Sequence, residues 1–357
     1  MRRSTVIPPG LLVVAALLAG GCSSTQAVLY PENVEFLSTL PDVTDQRGRF
    51  REVFCAVLEE RGETVPGYRP CEAALTRYGA ESGGTGRPVD LGMSDRHLVA
   101  VVVPGVGFDC FSDWLGIKDT VGDHVRNFGY DMEIIAVDSL SSSAANARTI
   151  RDSIAAMKGN DRDLVLIGYS KGAPDILEAV VAYPEIRGRI AAVVSAAGAV
   201  GGSPSADQAT RSQLELLEHW PGADCSTHDG GALESLRPQT RTTFLEQNPL
   251  PTDFPYYSLV TCPERDRISS ILRHGYRKLS EFDPRNDSQV LFPDQFIPGS
   301  SFIGCLNADH WALALPIERS HPFIGKTVVN QNDFPREALV EALLRFVEED
   351  LDARAVR

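Results

Sequence analysis

The chain of 357 residues is poor in basic side chains: 34 Lys and Arg stand against 48 Asp and Glu, a formal charge of -14. A protein that tracks phosphates needs a basic face, so nucleic acid is excluded as a partner. Cysteine is scarce, seven residues in all, which excludes a miniature scaffold held together by disulfides. Beyond the first 22 residues no hydrophobic run is long enough to span a bilayer. There is no internal repeat, and 43% hydrophobic with 23% charged residues excludes collagen-like, low-complexity and mostly disordered chains. His, Cys and Glu do not cluster at ligand spacing and no glycine loop is built to cradle phosphate, so neither a metal nor an organic cofactor is expected. What remains is a large acidic folded protein, for which roughly 150 residues per domain gives about two units.

What is present begins with the first 22 residues. Arg2 and Arg3 form a basic start, and Val6 to Leu18 is a short apolar stretch interrupted by Pro8, Pro9 and Gly10. Residues 1–21 read as an export signal. The segment Leu18-Ala19-Gly20-Gly21-Cys22 resembles the lipobox of bacterial lipoproteins, in which the Cys becomes the first mature residue and carries acyl chains. The resemblance implies a lipidated Cys22 and a protein anchored in the bacterial cell envelope, on the periplasmic side of a membrane or at the cell surface. Ser23 is compatible with the outer membrane in a Gram-negative cell. Losing Arg2 and Arg3 makes the mature chain more acidic still, so attachment is expected from the acyl chains and not from the protein surface. Cys55, Cys71, Cys110, Cys225, Cys262 and Cys305 then form an even set that an oxidising compartment could pair into as many as three disulfides. Cys55 and Cys71 are the most local pair; free buried thiols are the alternative.

Residues 22–45 read as a tether. Phe50, Val53, Phe54, Val57 and Leu58 repeat on one helix face, and Cys71, Ala74, Leu75 and Tyr78 repeat the same spacing after Pro70, predicting a helical hairpin over 46–86. From 87 to 357 short β-branched runs alternate with amphipathic stretches, the pattern of parallel βαβ units. Strands are expected at Leu98 to Val103, Met132 to Val137, Leu164 to Ile167, Ile190 to Ser195, Tyr256 to Thr261 and Phe302 to Leu306. Helices are expected around Trp114 to Phe128, Ala144 to Met157, Pro174 to Val181, Ile268 to Leu279 and Arg336 to Leu351. Residues 201–255 break this rhythm, and Leu214, Leu216, Leu217 and Trp220, with Leu233, Leu236, Phe244 and Leu245, predict an inserted helical lid.

The chemistry centres on Gly168-Tyr169-Ser170-Lys171-Gly172, which follows an apolar strand and precedes an amphipathic helix. Gly168 and Gly172 allow a strained turn that lifts the Ser170 hydroxyl above the sheet edge. With parallel strands on both sides, the sequence resembles the α/β-hydrolase superfamily, in particular its exported bacterial lipases and esterases, over roughly residues 96 to 350. The resemblance implies an α/β-hydrolase fold, a mostly parallel sheet flanked by helices, with Ser170 as nucleophile followed along the chain by an acid and then a His. His310, just after the last expected strand, takes the place of the general base. Asn286-Asp287-Ser288-Gln289-Val290 looks like the N-D-G-x-V loop that carries the acid in bacterial lipases, with Ser in place of Gly, and makes Asp287 the preferred acid ahead of Asp294 and Asp266. The oxyanion hole is expected from the backbone N–H groups of Lys171 and of Val106 in the loop Pro104-Gly105-Val106-Gly107. The Lys171 side chain is expected in solvent. Trp311 and Ala312 stand where some bacterial lipases place a calcium-binding Asp, so no calcium site is expected.

The reading is a cell-envelope serine hydrolase that cleaves a carboxylic ester, of a small molecule or a lipid, through an acyl-enzyme. The alternatives on the same fold are a binding lipoprotein without turnover and an enzyme passing the acyl group to an alcohol or amine. Oligomeric state is left open.

Overall fold

A computed structural model of the protein describes residues 42–115, 120–157, 163–209, 223–225 and 228–356. The export signal, Cys22, most of the tether and Leu214, Leu216, Leu217 and Trp220 of the insertion lie outside the described residues.

Seven strands form one sheet: β1 (Thr44–Asp45), β2 (Val99–Val103), β3 (Asp131–Ile134), β4 (Leu164–Tyr169), β5 (Ile190–Ala196), β6 (Tyr256–Thr261) and β7 (Ser301–Leu306). Their spatial order is β1-β7-β6-β5-β4-β2-β3, and every pairing is parallel. The central strands β4 and β5 are buried along their whole length, which is why LVLIGY and IAAVVSA are apolar on both alternating faces. Helices α1 (Arg47–Arg61) and α14 (Arg336–Ala355) cover one face, where Phe50 and Phe346 meet edge to face at 5.7 Å. On the other face lie α5 (Ser143–Ala156) and α6 (Gly172–Ala182). The α5 start is capped by Ser142, whose Oγ accepts from the Ala145 N–H at 3.2 Å.

The expected hairpin over 46–86 takes a different form. Its second helix, α2, is a single turn (Cys71–Ala74), because Leu75 leaves it to bridge Leu306 of β7 and the Thr76 N–H donates to the Cys305 carbonyl at 2.8 Å. Tyr78 is therefore off the helix and packs on Phe292, ring centroids 4.8 Å apart. Strand β1 extends the sheet beside β7, and Phe50, Phe54 and Val57 of α1 are buried in the main core. The N-terminal segment thus belongs to the main core and is not an appendage. The stretch expected to be one helix over 114–128 includes α3 (Phe108–Leu115) and α4 (Thr120–Arg126), with 116–119 outside the described residues. Of the stretch 268–279, only α10 (Arg273–Leu279) is α-helical, entered through a 3-10 turn at Ser270–Leu272.

All six remaining cysteines are paired: Cys55 with Cys71, Cys110 with Cys225 and Cys262 with Cys305. The described part of the insertion carries α7 (Pro204–Gln208), α8 (Ala232–Ser235) and α9 (Pro238–Gln247). It is fastened to the chain after β3, where Asp229 accepts from the Ser142 N–H at 2.7 Å and its own N–H donates to Ser141 Oγ at 3.1 Å.

Candidate active site

Ser170 stands at the end of β4 with φ of 54°, a left-handed conformation that a non-glycine residue adopts only when its surroundings force it. Those surroundings are visible. The Ser170 carbonyl accepts from the N–H groups of Ala173 and Ala199 at 3.2 and 3.0 Å, and its own N–H donates to Ala196. A Cβ at Gly168 would collide with the Ala173 backbone, and one at Gly172 with the Val103 carbonyl, so both glycines are needed for helix α6 to start this close to the sheet. A Cβ at Gly105 would lie 2.6 Å from the Ser170 Cβ, so the loop after β2 passes directly beside the hydroxyl.

His310 opens α11 (His310–Ala314) immediately after β7. Its Nε2 is 2.9 Å from Ser170 Oγ and its Nδ1 is 2.7 Å from Asp287 Oδ2, with His310 and Asp287 both buried. The Asp287 carboxylate is held from both sides: Thr261 Oγ1 donates to Oδ2 at 2.5 Å, while the N–H groups of Gln289 and Val290 donate to Oδ1 at 3.0 and 2.8 Å. Burial alone would raise its pKa, but the His310 charge and the hydrogen bonds from His310, Thr261 and Val290 hold it below the ordinary carboxylate value. An ionised, immobile carboxylate on Nδ1 fixes the imidazole so that Nε2 can take a proton from Ser170. The other carboxylates do not contact the imidazole. Asp309 caps α11 through the Trp311 and Ala312 N–H groups, Asp266 lies exposed on a 3-10 turn, and Asp294 is half-buried with its pKa pushed up to about 6 by partial burial and by Asp283.

The fold as a whole recurs in a protein of known structure. The metagenomic carboxyl esterase MGS0156 is 36% identical to the chain, aligned over 96% of it and 100% of the esterase, with a TM-score of 0.81. The chain belongs to the α/β-hydrolase superfamily. The hydrolase also shares its fold with the propeptide form of the Bacillus licheniformis lipase BlEst2, at 18% identity and a TM-score of 0.51 over 67% of this chain and 51% of the lipase. No family model and no curated protein sequence matches it.

In this serine hydrolase the expected oxyanion donors flank the nucleophile. The Gly107 N–H donates to Ser139 Oγ at 2.8 Å, which anchors the loop, whereas the N–H groups of Val106 and Lys171 meet no acceptor among the described residues. The Lys171 side chain contradicts the expectation of a solvated group. It is fully buried, with Nζ 2.9 Å from both Asp175 oxygens, and Asp175 also accepts from Asn146 Nδ2 at 2.7 Å. Lys171 sits in the tight turn under Gly172, where solvent does not reach, and a carboxylate one helical turn later satisfies its charge.

Two contributors to the hydrolase site carry no motif. The Tyr169 hydroxyl donates to the His310 carbonyl at 2.7 Å with its ring 5.2 Å from the imidazole, and Thr261 ends β6 against Asp287. Their only signal in the sequence is position: each occupies the C-terminal end of a strand, where this sheet gathers its chemistry. A largely apolar cavity of about 200 Å³ lies between the sheet and α14, lined among others by Val102, Pro104, Tyr169, Leu259, Leu313 and Leu343. It reaches the chain neighbours of Gly105 and Ser170 but not Ser170 itself, so it adjoins the reacting centre and is not that centre.

Proposed function

We propose that the protein hydrolyses carboxylic esters of apolar acyl groups, with Ser170 as nucleophile, His310 as general base and acid, and Asp287 as the residue that orients the imidazole. The observation that carries this reading is the unbroken chain of contacts from Asp287 Oδ2 through His310 to Ser170 Oγ, at 2.7 and 2.9 Å. Ser170 Oγ attacks the ester carbonyl as His310 Nε2 takes its proton, and the oxyanion forms against the N–H groups of Val106 and Lys171. His310 returns the proton to the leaving alkoxide, leaving an acyl-Ser170 enzyme. Water, deprotonated by the same imidazole, releases the acid and restores Ser170.

The carboxyl esterase named above supports ester chemistry for the same fold at 36% identity. The apolar residues around the reacting centre support acyl over sugar substrates. The lipobox-like segment ending at Cys22 supports a lipid-anchored enzyme of the bacterial envelope. The test is kinetic: p-nitrophenyl esters of graded acyl length should be cleaved by the oxidised protein and not, above the solution rate, by Ser170→Ala. Turnover retained in Ser170→Ala would remove this serine from the mechanism.

A further inference from the structure

The basic residues of this acidic protein are not evenly used. Arg47, Arg49, Arg51, Arg61, Arg126 and Arg345 each face a carboxylate within ion-pair distance. In contrast, among the described residues no carboxylate pairs with Arg265, Arg273, Arg277, Lys278 or Lys326. Four of these lie on the stretch 265–280, which holds five Lys and Arg against a single Asp in a chain whose formal charge is -14. The acidic groups close to them in sequence are Glu264 and Asp266 before and Glu281 after.

Helix α10 explains the clustering. Leu272, Tyr276 and Leu279 recur at helical spacing and are buried, two of them in a cluster with Trp311, the residue after His310. The opposite side presents Arg273, His274, Arg277 and Lys278, all exposed. Beside it, exposed apolar side chains gather. The Ile271 N–H donates to the Val328 carbonyl at 2.9 Å, and Ser270 binds Asn330, so the chain before α10 is stitched to the chain after α13 (Pro322–Thr327). Ile271 and Val328 are 50% and 43% exposed, and Phe323 on α13, three residues before Lys326, is 81% exposed. Ile324 from the same helix packs inward with Trp311.

We propose that this face, Ile271, Phe323 and Val328 bordered by Arg273, Arg277, Lys278 and Lys326, is a docking surface for an anionic phospholipid bilayer. Apolar side chains enter the acyl boundary while unpaired, long-stemmed cations reach phosphates at headgroup level. The chain as a whole carries a formal charge of -14 and is repelled by such a membrane, so the face bearing these cations is the one turned toward it. Trp311 packs under the patch on one side and adjoins His310 on the other, which brings the hydrolytic site to the bilayer. That last step rests on the proposed ester hydrolysis; the binding does not.

The test uses the full chain with Cys22→Ser, which removes the lipid acceptor, against phosphatidylcholine vesicles with and without phosphatidylglycerol. All variants share one N-terminus, so differences report the patch. The parent should favour the anionic vesicles and lose that preference at high salt. Replacing Arg273, Arg277 and Lys278 together by Gln should weaken anionic binding about 100-fold, on the order of fivefold per cation, with hydrolysis of a short water-soluble ester unchanged. Phe323→Ser should weaken it several-fold. Equal binding of the parent to both vesicles, or a triple variant that binds as the parent does, overturns the proposal. So does a parent that ignores both vesicles yet forms a complex with polyglutamate, which would assign the patch to an acidic protein. If the parent prefers anionic vesicles and the variants lose that preference as expected, yet no preparation cleaves an ester, the proposed function fails and the docking surface stands.

Discussion

Ser170 and Ser288 both hold backbone angles that glycine adopts freely, with φ of 54° and 85°. At Ser170 the strain serves the site by projecting the hydroxyl toward His310. At Ser288 it explains a departure from the N-D-G-x-V pattern: the position needs a left-handed residue, and this chain fills it with a serine whose N–H donates to Asn286 Oδ1 at 3.0 Å. Ser288→Gly should therefore leave the melting temperature unchanged or raise it, while Ser288→Val should cost about 1–2 kcal/mol in a denaturant titration. Asp287→Asn keeps the shape but not the charge, so kcat should fall about 10⁴-fold with KM nearly unchanged; a loss under tenfold would mean that another group orients His310. The residues that touch one another here were legible because a strand-turn-helix context and chain order constrain them. Lys171 was not, since a lone lysine reads as solvated unless its i+4 partner Asp175 is recognised on an otherwise apolar helix. Tyr169 and Thr261 act through contacts made in the fold, which no spacing announces.

Among the elements, the clearest dependence on tertiary contacts is at the N-terminus. Two residues of β1 carry no period, and α2 stops after one turn because β7 offers its chain a better partner than a longer helix would. Helix α1 was legible from its apolar spacing, but its docking was not. That docking turns on Glu341 of α14, whose side chain is fully buried and binds Arg61 of α1 at 2.6 Å, His124 of α4 at 2.7 Å and Arg345 at 2.9 Å. Burial opposes its ionisation, yet the hydrogen bonds from His124 and Arg61 and the Arg345 charge bring its pKa down to about 2. A carboxyl depressed in the folded state stabilises above its unfolded pKa near 4.5, and that contribution disappears as pH falls from there toward 2. Thermal unfolding followed from pH 7 to 2 should show this loss, on the order of 2–3 kcal/mol. Glu341→Gln should be destabilised at pH 7 and show a shallower acid limb; an unchanged limb would place the acid sensitivity elsewhere.

At the scale of the whole molecule, three disulfides and one uneven charge distribution set the behaviour of the chain. Cys110–Cys225 spans 115 residues of sequence and ties the insertion to α3, just after the loop of Val106, where the Asp224 N–H also donates to the Cys110 carbonyl at 2.9 Å. Cys55–Cys71 spans only 16. Loop-closure entropy then predicts that Cys225→Ser destabilises more than Cys71→Ser, by about 1–2 kcal/mol, and the larger effect should carry a loss of esterase activity because the oxyanion loop is nearby. Equal losses would point to strain or residual structure in the unfolded chain. Total charge alone spoke against any membrane contact by the protein surface; the fold gathers unpaired cations from distant parts of the chain onto one apolar face, which a net charge cannot reveal. The chemistry turns on Ser170 as the nucleophile. Peptide mapping after reaction with a fluorophosphonate tests it most directly: the adduct should lie on Ser170 and vanish in Ser170→Ala, whereas an adduct on another residue, or labelling undiminished in Ser170→Ala, would contradict it.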